Sequence, residues 1–238
     1  MFRDKKVTVC ITSFNRFDLL KQTIDSFISL NNNNYPIEKI IVIEDSGLIE
    51  MKSKILNEYN DKIELIYNKH TIGQPLALDK MYDAVETEYI FHTEDDYLYE
   101  GNSNFLKESV EILEEKKDVH QVWIRLLEDF EPTHGEEGPQ QFEDQILQTS
   151  SGVQYKMYKK NWRGWSGFSW NPGLRRSDDY FEMFPKGFRE FTTKNFRKSG
   201  IPTEFNCAQH AASQGYRGAF LLNGACKHMG LNNSTYKK

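Results

Sequence analysis

Residues 89–97, YIFHTEDDY, run from an apolar segment, Tyr89 to Phe91, into three consecutive acids, Glu94, Asp95 and Asp96. Carboxylates crowded at the end of a buried strand repel one another and titrate upward unless a cation or a set of donors compensates them. A divalent metal is the natural partner, and oxygen ligands favour Mg2+, Mn2+ or Ca2+ over zinc. The competing reading is a solvated acidic turn.

Upstream, the periodicity alternates in type. VTVCIT, residues 7–12, is a β-branched run, and Phe17, Leu20, Ile24, Phe27 and Ile28 follow at helical spacing. The asparagine run 31–34 and Pro36 break that helix, and Ile40 to Ile43 give a second buried strand that ends in Glu44 and Asp45. Met51, Ile55 and Tyr59 mark a second helix and Ile63 to Tyr67 a third strand. Pro75 then suits the first turn of a helix bearing Leu78, Tyr82 and Val85. Strand and helix in this alternation predict an α/β fold with a mostly parallel sheet flanked by helices, in which ligands bind at the carboxyl ends of the strands. Thr12 to Arg16, Glu44 with Asp45, and Glu94 to Asp96 should therefore converge on one edge. An isolated acidic turn would not require this.

Composition narrows the partners. The 238 residues fit one large domain, 1–238, long enough to bury a sizeable core. A net charge of -5 gives no electrostatic footprint for nucleic acid or an anionic membrane. Three scattered cysteines, Cys10, Cys207 and Cys226, lack metal-ligand spacing and suit a reducing compartment, so the expected location is the cytoplasm. No stretch approaches the roughly 18 apolar residues of a membrane span, which leaves at most peripheral membrane contact.

VTVCITSFNR, IIVIEDSG and YIFHTEDDY, in this order and at these separations, resemble the opening half of nucleotide-sugar glycosyltransferases of the GT-A (Rossmann-like) fold, above all the inverting family 2 enzymes. The resemblance implies that Thr12, Ser13 and Asn15 line the base pocket and that Asp45 accepts a hydrogen bond from the base. Arg16, Glu44, Gly73 and Asp95 complete the expected nucleotide-sugar site, and the resemblance makes 1–100 the nucleotide-binding half and 101–238 the acceptor and catalytic half. Glu94 and Asp96 are the outer acids of the triplet that holds metal and diphosphate, Mn2+ or Mg2+ being the implied cofactor. Glu94 stands where the family usually has aspartate, so Asp96 is the firmer ligand.

The second half is less regular. Asn102 or Ser103 can cap a helix containing Leu106, Val110 and Leu113, and Gln121 to Leu127 reads as a strand. Residues 130–152, rich in Glu, Gln, Gly, Pro and Ser, read as a mobile binding loop near the acceptor. WRGWSGFSWNPGLRR, residues 162–176, holds three of the four tryptophans. Its rings suit either a sugar platform or a core seam, Arg163 could meet a phosphate, and Gly164, Gly167 and Gly173 suggest close approach of a ligand. By resemblance, Trp165 and Ser166 form the floor for donor sugar and acceptor. Within TEFNCAQHAASQGYRG the family's acidic helix start aligns with Thr203 and Glu204. That makes Glu204 the candidate catalytic base, while the bland reading is helix-dipole electrostatics with Thr203 as cap. His228 resembles a histidine that several GT-A enzymes add to the metal shell.

The expected activity is transfer of a sugar from a nucleoside diphosphate sugar, UDP-linked in preference to GDP- or dTDP-linked, to a glycan or glycoconjugate hydroxyl, in surface-glycan or capsule assembly. No GxGxxG, P-loop or GxSxG pattern competes. The alternatives are a nucleotidyltransferase acting on a sugar phosphate and a non-catalytic carbohydrate-binding module.

Overall fold

A computed structural model describes residues 5–129, 139–160, 165–194 and 201–230. The first half alternates as the spacing predicts: β1 (Val7–Ser13), α1 (Phe17–Asn31), β2 (Ile37–Glu44), α2 (Ile49–Tyr59), β3 (Glu64–Tyr67), α3 (Gln74–Tyr82) and β4 (Tyr89–Glu94). The second half adds β5 (Tyr97–Tyr99), α4 (Phe105–Glu115), β6 (Val119–Trp123), β7 (Leu147–Gln148), β8 (Gln154–Met157) and β9 (Gly173–Arg176). It closes with α5 (Ser177–Met183), α6 (Ile201–Ser213), β10 (Arg217–Leu221) and β11 (Cys226–His228). Among the described residues, no helix is long and apolar enough to cross a membrane.

One sheet of order β3-β2-β1-β4-β9-β6-β10-β8-β7 runs through both halves, and β5 with β11 forms a small second sheet. The block β3-β2-β1-β4 is parallel throughout, and β6 and β10 are parallel to each other. Strand β9 lies antiparallel between β4 and β6, so the sheet becomes mixed there. Alternation along β1 explains its burial on both sides. Val7, Val9 and Ile11 join the layer of Leu20, Ile24 and Phe27, whereas Cys10 joins Ala77, Leu78 and Met81. The asparagine run ends α1 with left-handed residues, Asn32 at φ 36° and Asn33 at φ 63°, a conformation asparagine tolerates better than most residues.

Several local expectations change. The first helical cap of α4 is Asn104, with Asn102 Oδ1 accepting its N–H at 2.9 Å. The polar stretch after 138 is not one long loop. It contains the 3-10 turn Pro139–Gln141 and then β7, which pairs with β8; residues 130–138 lie outside the described residues. Gly167 and Gly173 of the tryptophan segment admit protein rather than ligand, and Gly164 lies outside the described residues. A Cβ at Gly173 would sit 2.7 Å from the Val122 carbonyl oxygen on β6, and one at Gly167 would meet the Tyr158 ring. Trp170 is buried against Phe188, and Trp165 stands edge-on to Trp123 and Tyr158, which is the core-seam reading for those two rings.

Asp79 ties α3 to the segment after α5. Fully buried, it accepts the Phe188 N–H at 2.6 Å, the Arg189 N–H at 3.1 Å, Arg189 Nε at 2.9 Å and the Tyr180 hydroxyl at 3.1 Å. Asp79→Ala strands these donors without an acceptor, and a loss of about 3 kcal/mol is expected in urea unfolding. An unchanged urea midpoint would contradict this account of the tie.

Candidate active site

Register brings the acids together. Ser13 on β1 pairs with Glu44 on β2, and Thr12 pairs with Glu94 on β4, so the chain leaves all three strands at one level. Asp45 and Asp96, just beyond, flank the β1 loop across two strand spacings of about 4.8 Å each. This is the common edge expected from topology.

The β1 loop is held from both sides. Glu44, fully buried, accepts the Ser13 hydroxyl at 2.8 Å and the N–H groups of Asn15 at 3.2 Å and Ser46 at 3.0 Å. Asn15 is left-handed at φ 55°. On the other side the Phe14 N–H donates to Asp95 Oδ2 at 3.3 Å. The turn delivers Arg16, which opens α1, to the acids. Its Nε and Nη2 both donate to Asp95, while Nη1 donates to Asp96 Oδ2 at 2.8 Å.

Asp45 organises the next wall. It accepts Asn68 Nδ2 at 2.8 Å and the N–H groups of Ile72 at 3.0 Å and Gly73 at 2.9 Å. Gly73 has φ 93°, and the adjoining Gln74 Nε2 donates to Glu94 Oε1 at 2.8 Å. The Gly73–Gln74 turn thus spans from one acid to the other. Glu44 and Asp45 are thereby committed first to loop architecture, a role that residue type alone does not announce.

The triplet is electrically divided. Loss of water, then the charges of Asp96, Glu204 and Asp95, push the Glu94 carboxyl well above its usual range. Burial raises Asp95 to about 7 against the pull of Arg16. For Asp96 burial also acts upward, but hydrogen bonding and charge from His228 and Arg16 outweigh it and leave the group below its usual value.

Strand β11 supplies His228. Its antiparallel register with β5 sets His228 opposite Tyr97 and its Nε2 3.3 Å from Asp96 Oδ2. The Met229 N–H donates to the Asp96 carbonyl at 2.7 Å, and the His228 N–H to Asp129 Oδ2 at 3.0 Å. Asp96 Oδ1 is buried without a hydrogen-bond partner among the described residues. Among the described residues no three His, Cys, Asp or Glu side chains form a set able to hold a metal. Asp96 and His228 nevertheless fit a cation that takes its other ligands from phosphate oxygens, the usual arrangement for Mg2+. Glu94, expected beside Asp96 as a ligand, is instead engaged with Gln74.

Glu204 stands in the first turn of α6. Its Oε1 accepts the Ser169 hydroxyl at 2.6 Å and the Trp170 N–H at 2.7 Å. Its carboxyl is recessed, and loss of water raises its pKa against Ser169, Trp170 and Arg175, which lower it. Thr203, expected to cap, lies inside the helix, buried, with its hydroxyl unpartnered. Asn171, which sequence reasoning passed over, links the two sides of the site. Its Nδ2 donates to Ser169 Oγ at 2.7 Å, and its Oδ1 accepts Tyr97 Oη at 2.7 Å and Arg125 Nη1 at 3.2 Å. Arg125 in turn holds Asp129, the acceptor of the His228 N–H. The only signal for Asn171 was its place in NPG. Trp165 is half-buried with Nε1 on the Phe168 carbonyl, Ser166 is buried, and Arg163 lies outside the described residues.

The sequence profile described as Glycosyl transferase family 2 matches residues 8–181. A search of curated proteins finds no match. Among solved structures, the chain is similar to the mannosyltransferase PcManGT from Pyrobaculum calidifontis in complex with GDP-Man and Mn2+, at 16% identity and TM-score 0.63, covering 98% of this chain and 59% of that one. It is also similar to S. aureus TarS 1-349, at 13% identity and TM-score 0.59, covering 94% and 60%. TarS 1-349 in complex with UDP-GlcNAc gives 14% identity and TM-score 0.56, covering 93% and 58%. The chain therefore spans about three fifths of the length of these structures, and at such identities the likeness is one of fold.

Glu44→Ala removes the acceptor for Ser13, Asn15 and Ser46, and is expected to lower stability by about 2–4 kcal/mol. Hydrogen exchange should show the Asn15 and Ser46 amides losing protection first. Unaltered exchange at both amides would contradict the anchoring role.

Proposed function

The chain belongs to glycosyl transferase family 2, and from that premise we propose that it transfers a sugar from a nucleoside diphosphate sugar to a hydroxyl of a glycan or related acceptor, with inversion at the anomeric carbon. The observation that carries the reading is the hydrogen-bonded chain from the carboxyl of Glu204 through Ser169, Asn171, Arg125 and Asp129 to His228, which ties that carboxyl to the edge where Asp45, Arg16 and Asp96 meet. The family match ends at residue 181, so the assignment of Glu204 rests on this geometry.

In this reading Thr12, Ser13, Asn15 and Asp45 surround the nucleoside. Among the described residues, Asp45 Oδ2 accepts only the Gly73 N–H, which leaves room for a base N–H. UDP is the favoured nucleotide. Arg16, Asp96 and His228 face the diphosphate, and Mn2+ or Mg2+ held by Asp96 and His228 would supply positive charge for the leaving group. Glu204 takes the proton of the acceptor hydroxyl. The hydroxyl oxygen bonds to the anomeric carbon from the face opposite the diphosphate, and the sugar–phosphate C–O electrons leave with the diphosphate. Because Ser169 and Trp170 both bond Oε1, Oε2 is the oxygen that receives the proton. Burial raises the pKa of Glu204, which makes its carboxylate a stronger base than an exposed one. Passive carbohydrate binding needs no general base, and in nucleotidyl transfer an already ionised sugar-phosphate oxygen attacks without one.

Glu204→Gln should reduce transfer by about 10²–10⁴-fold while UDP affinity in the presence of Mn2+ stays as in the wild type. Retained turnover would remove Glu204 from this role.

The pH dependence follows from the same carboxyl. As a base, Glu204 must be ionised, so kcat/KM should climb with pH through its raised pKa. For stability the sign is opposite. The folded state holds this proton more tightly than the unfolded chain, so stability is lost as pH rises from the ordinary glutamate value through the raised one. Glu204→Gln removes that loss. Its Tm should exceed the wild-type value above this window and equal it below, and a variant that melts lower at every pH would contradict the recessed-carboxylate account.

A further inference from the structure

Arg16 answers two demands at once. Its Nε and Nη2 grip the fully buried Asp95, and its Nη1 reaches past to Asp96 Oδ2 at 2.8 Å. That oxygen also lies 3.3 Å from His228 Nε2. The other Asp96 oxygen, Oδ1, is buried with no hydrogen-bond partner among the described residues, and the residue is 5% exposed. The carboxylate assigned to the cation is therefore covered by the chain's own cation on one oxygen and bare on the other.

The surroundings leave Arg16 little choice. Gly230 packs so closely that a Cβ there would collide with Asp96 Oδ2 and stand 3.0 Å from His228 Nε2, which closes that side of the carboxylate. The β1 loop is fixed by Glu44 and Asp95, so the backbone of Arg16 cannot swing out freely. A guanidinium does not lose its charge near neutrality, and it therefore cannot yield to a metal by deprotonation. What can change is the partner of Nη1, because the Arg16 side chain keeps 19% of its surface in solvent.

Two cations crowded onto one carboxylate repel each other, whereas a diphosphate oxygen offers Nη1 a charged acceptor that does not compete with the metal for Asp96. We infer that Arg16 couples cation binding to nucleotide binding: without a diphosphate its Nη1 competes with the divalent cation for Asp96, and a diphosphate draws Nη1 away and so raises cation affinity. The inference rests on the donor site proposed above and adds an order to its filling, in which the cation is retained only together with the nucleotide. Linkage makes the effect reciprocal, so Mn2+ must raise UDP affinity by the factor by which UDP raises Mn2+ affinity.

The test is Mn2+ binding to the full chain, read from the free-ion EPR signal, without nucleotide and with saturating UDP. In the wild type UDP should tighten Mn2+ binding by about tenfold or more, a coupling within the usual range for linked sites. Arg16→Met removes the guanidinium from Asp95 and Asp96, and it should bind Mn2+ alone about tenfold more tightly than the wild type, with UDP adding little. Arg16→Lys retains a charge beside Asp96 and should bind Mn2+ alone as weakly as the wild type. An Arg16→Met protein that binds Mn2+ no more tightly than the wild type overturns the inference. Should Arg16→Met fail to fold by far-UV circular dichroism, the wild type decides, since equal Mn2+ affinity with and without UDP overturns it as well. Failure of both UDP and GDP to bind the wild type under saturating Mn2+ would instead contradict the donor site, and the metal-only comparison of Arg16→Met with the wild type would still judge Arg16.

Discussion

Glu94, Asp95 and Asp96 leave β4 side by side, two of them buried and the first half-buried, and their mutual repulsion is the condition to which the surrounding structure responds. Each acid meets it differently. Asp95 becomes half of an ion pair with Arg16, Asp96 is shared between Arg16 and His228, and Glu94 turns to Gln74 while its carboxyl is driven toward the neutral form. A buried pair of this kind gives little net stability, because desolvation consumes much of the attraction. What it supplies is position. Arg16 can reach both aspartates only if the β1 loop turns through the left-handed Asn15, and that turn exists because Glu44 and Asp95 accept the loop's amides from either side.

The same constraint joins the two halves of the chain. Strand β11 pairs with β5, and so brings a residue from the far end of the sequence to the triplet. From His228 a polar chain passes through Asp129, Arg125, Asn171 and Ser169 to Glu204. The carboxylate assigned to the acceptor is thus set by the same hydrogen bonds that set the ligand assigned to the cation. Arg125 and Asn171 touch neither reacting group in this reading. They fix the spacing between them, and a network of this kind holds geometry only while each member keeps its partner.

The first half of the fold was legible because two periods, 2 and 3.6, alternate cleanly between residues 7 and 94, and because parallel order sends successive strand ends to one edge. The acids of the site were legible for the same reason. Less could be read where a residue's role depends on distant contacts. GLRR is too short to reveal that β9 enters the sheet antiparallel between β4 and β6. Gly173 signalled a close approach, but only the fold shows that β6, rather than a ligand, makes it. Arg16 is adjacent in sequence to the expected base pocket, yet its carboxylate partners lie 79 and 80 residues away. Glu204 was reached through its helix start, although the anticipated cap at Thr203 proved to be an interior residue. Asn171 gave no signal of its own, because a hub is defined by what surrounds it.

In the proposed function Asp45 and Asp96, just beyond β2 and β4, surround one nucleoside diphosphate together with Arg16 and His228. The decisive measurement is a crystal structure of the protein with UDP and Mn2+. The base should lie beside Asp45, the diphosphate against Arg16 and Mn2+ within coordination distance of Asp96 and His228. A nucleotide bound away from this strand edge, or Mn2+ held by other side chains, would contradict it.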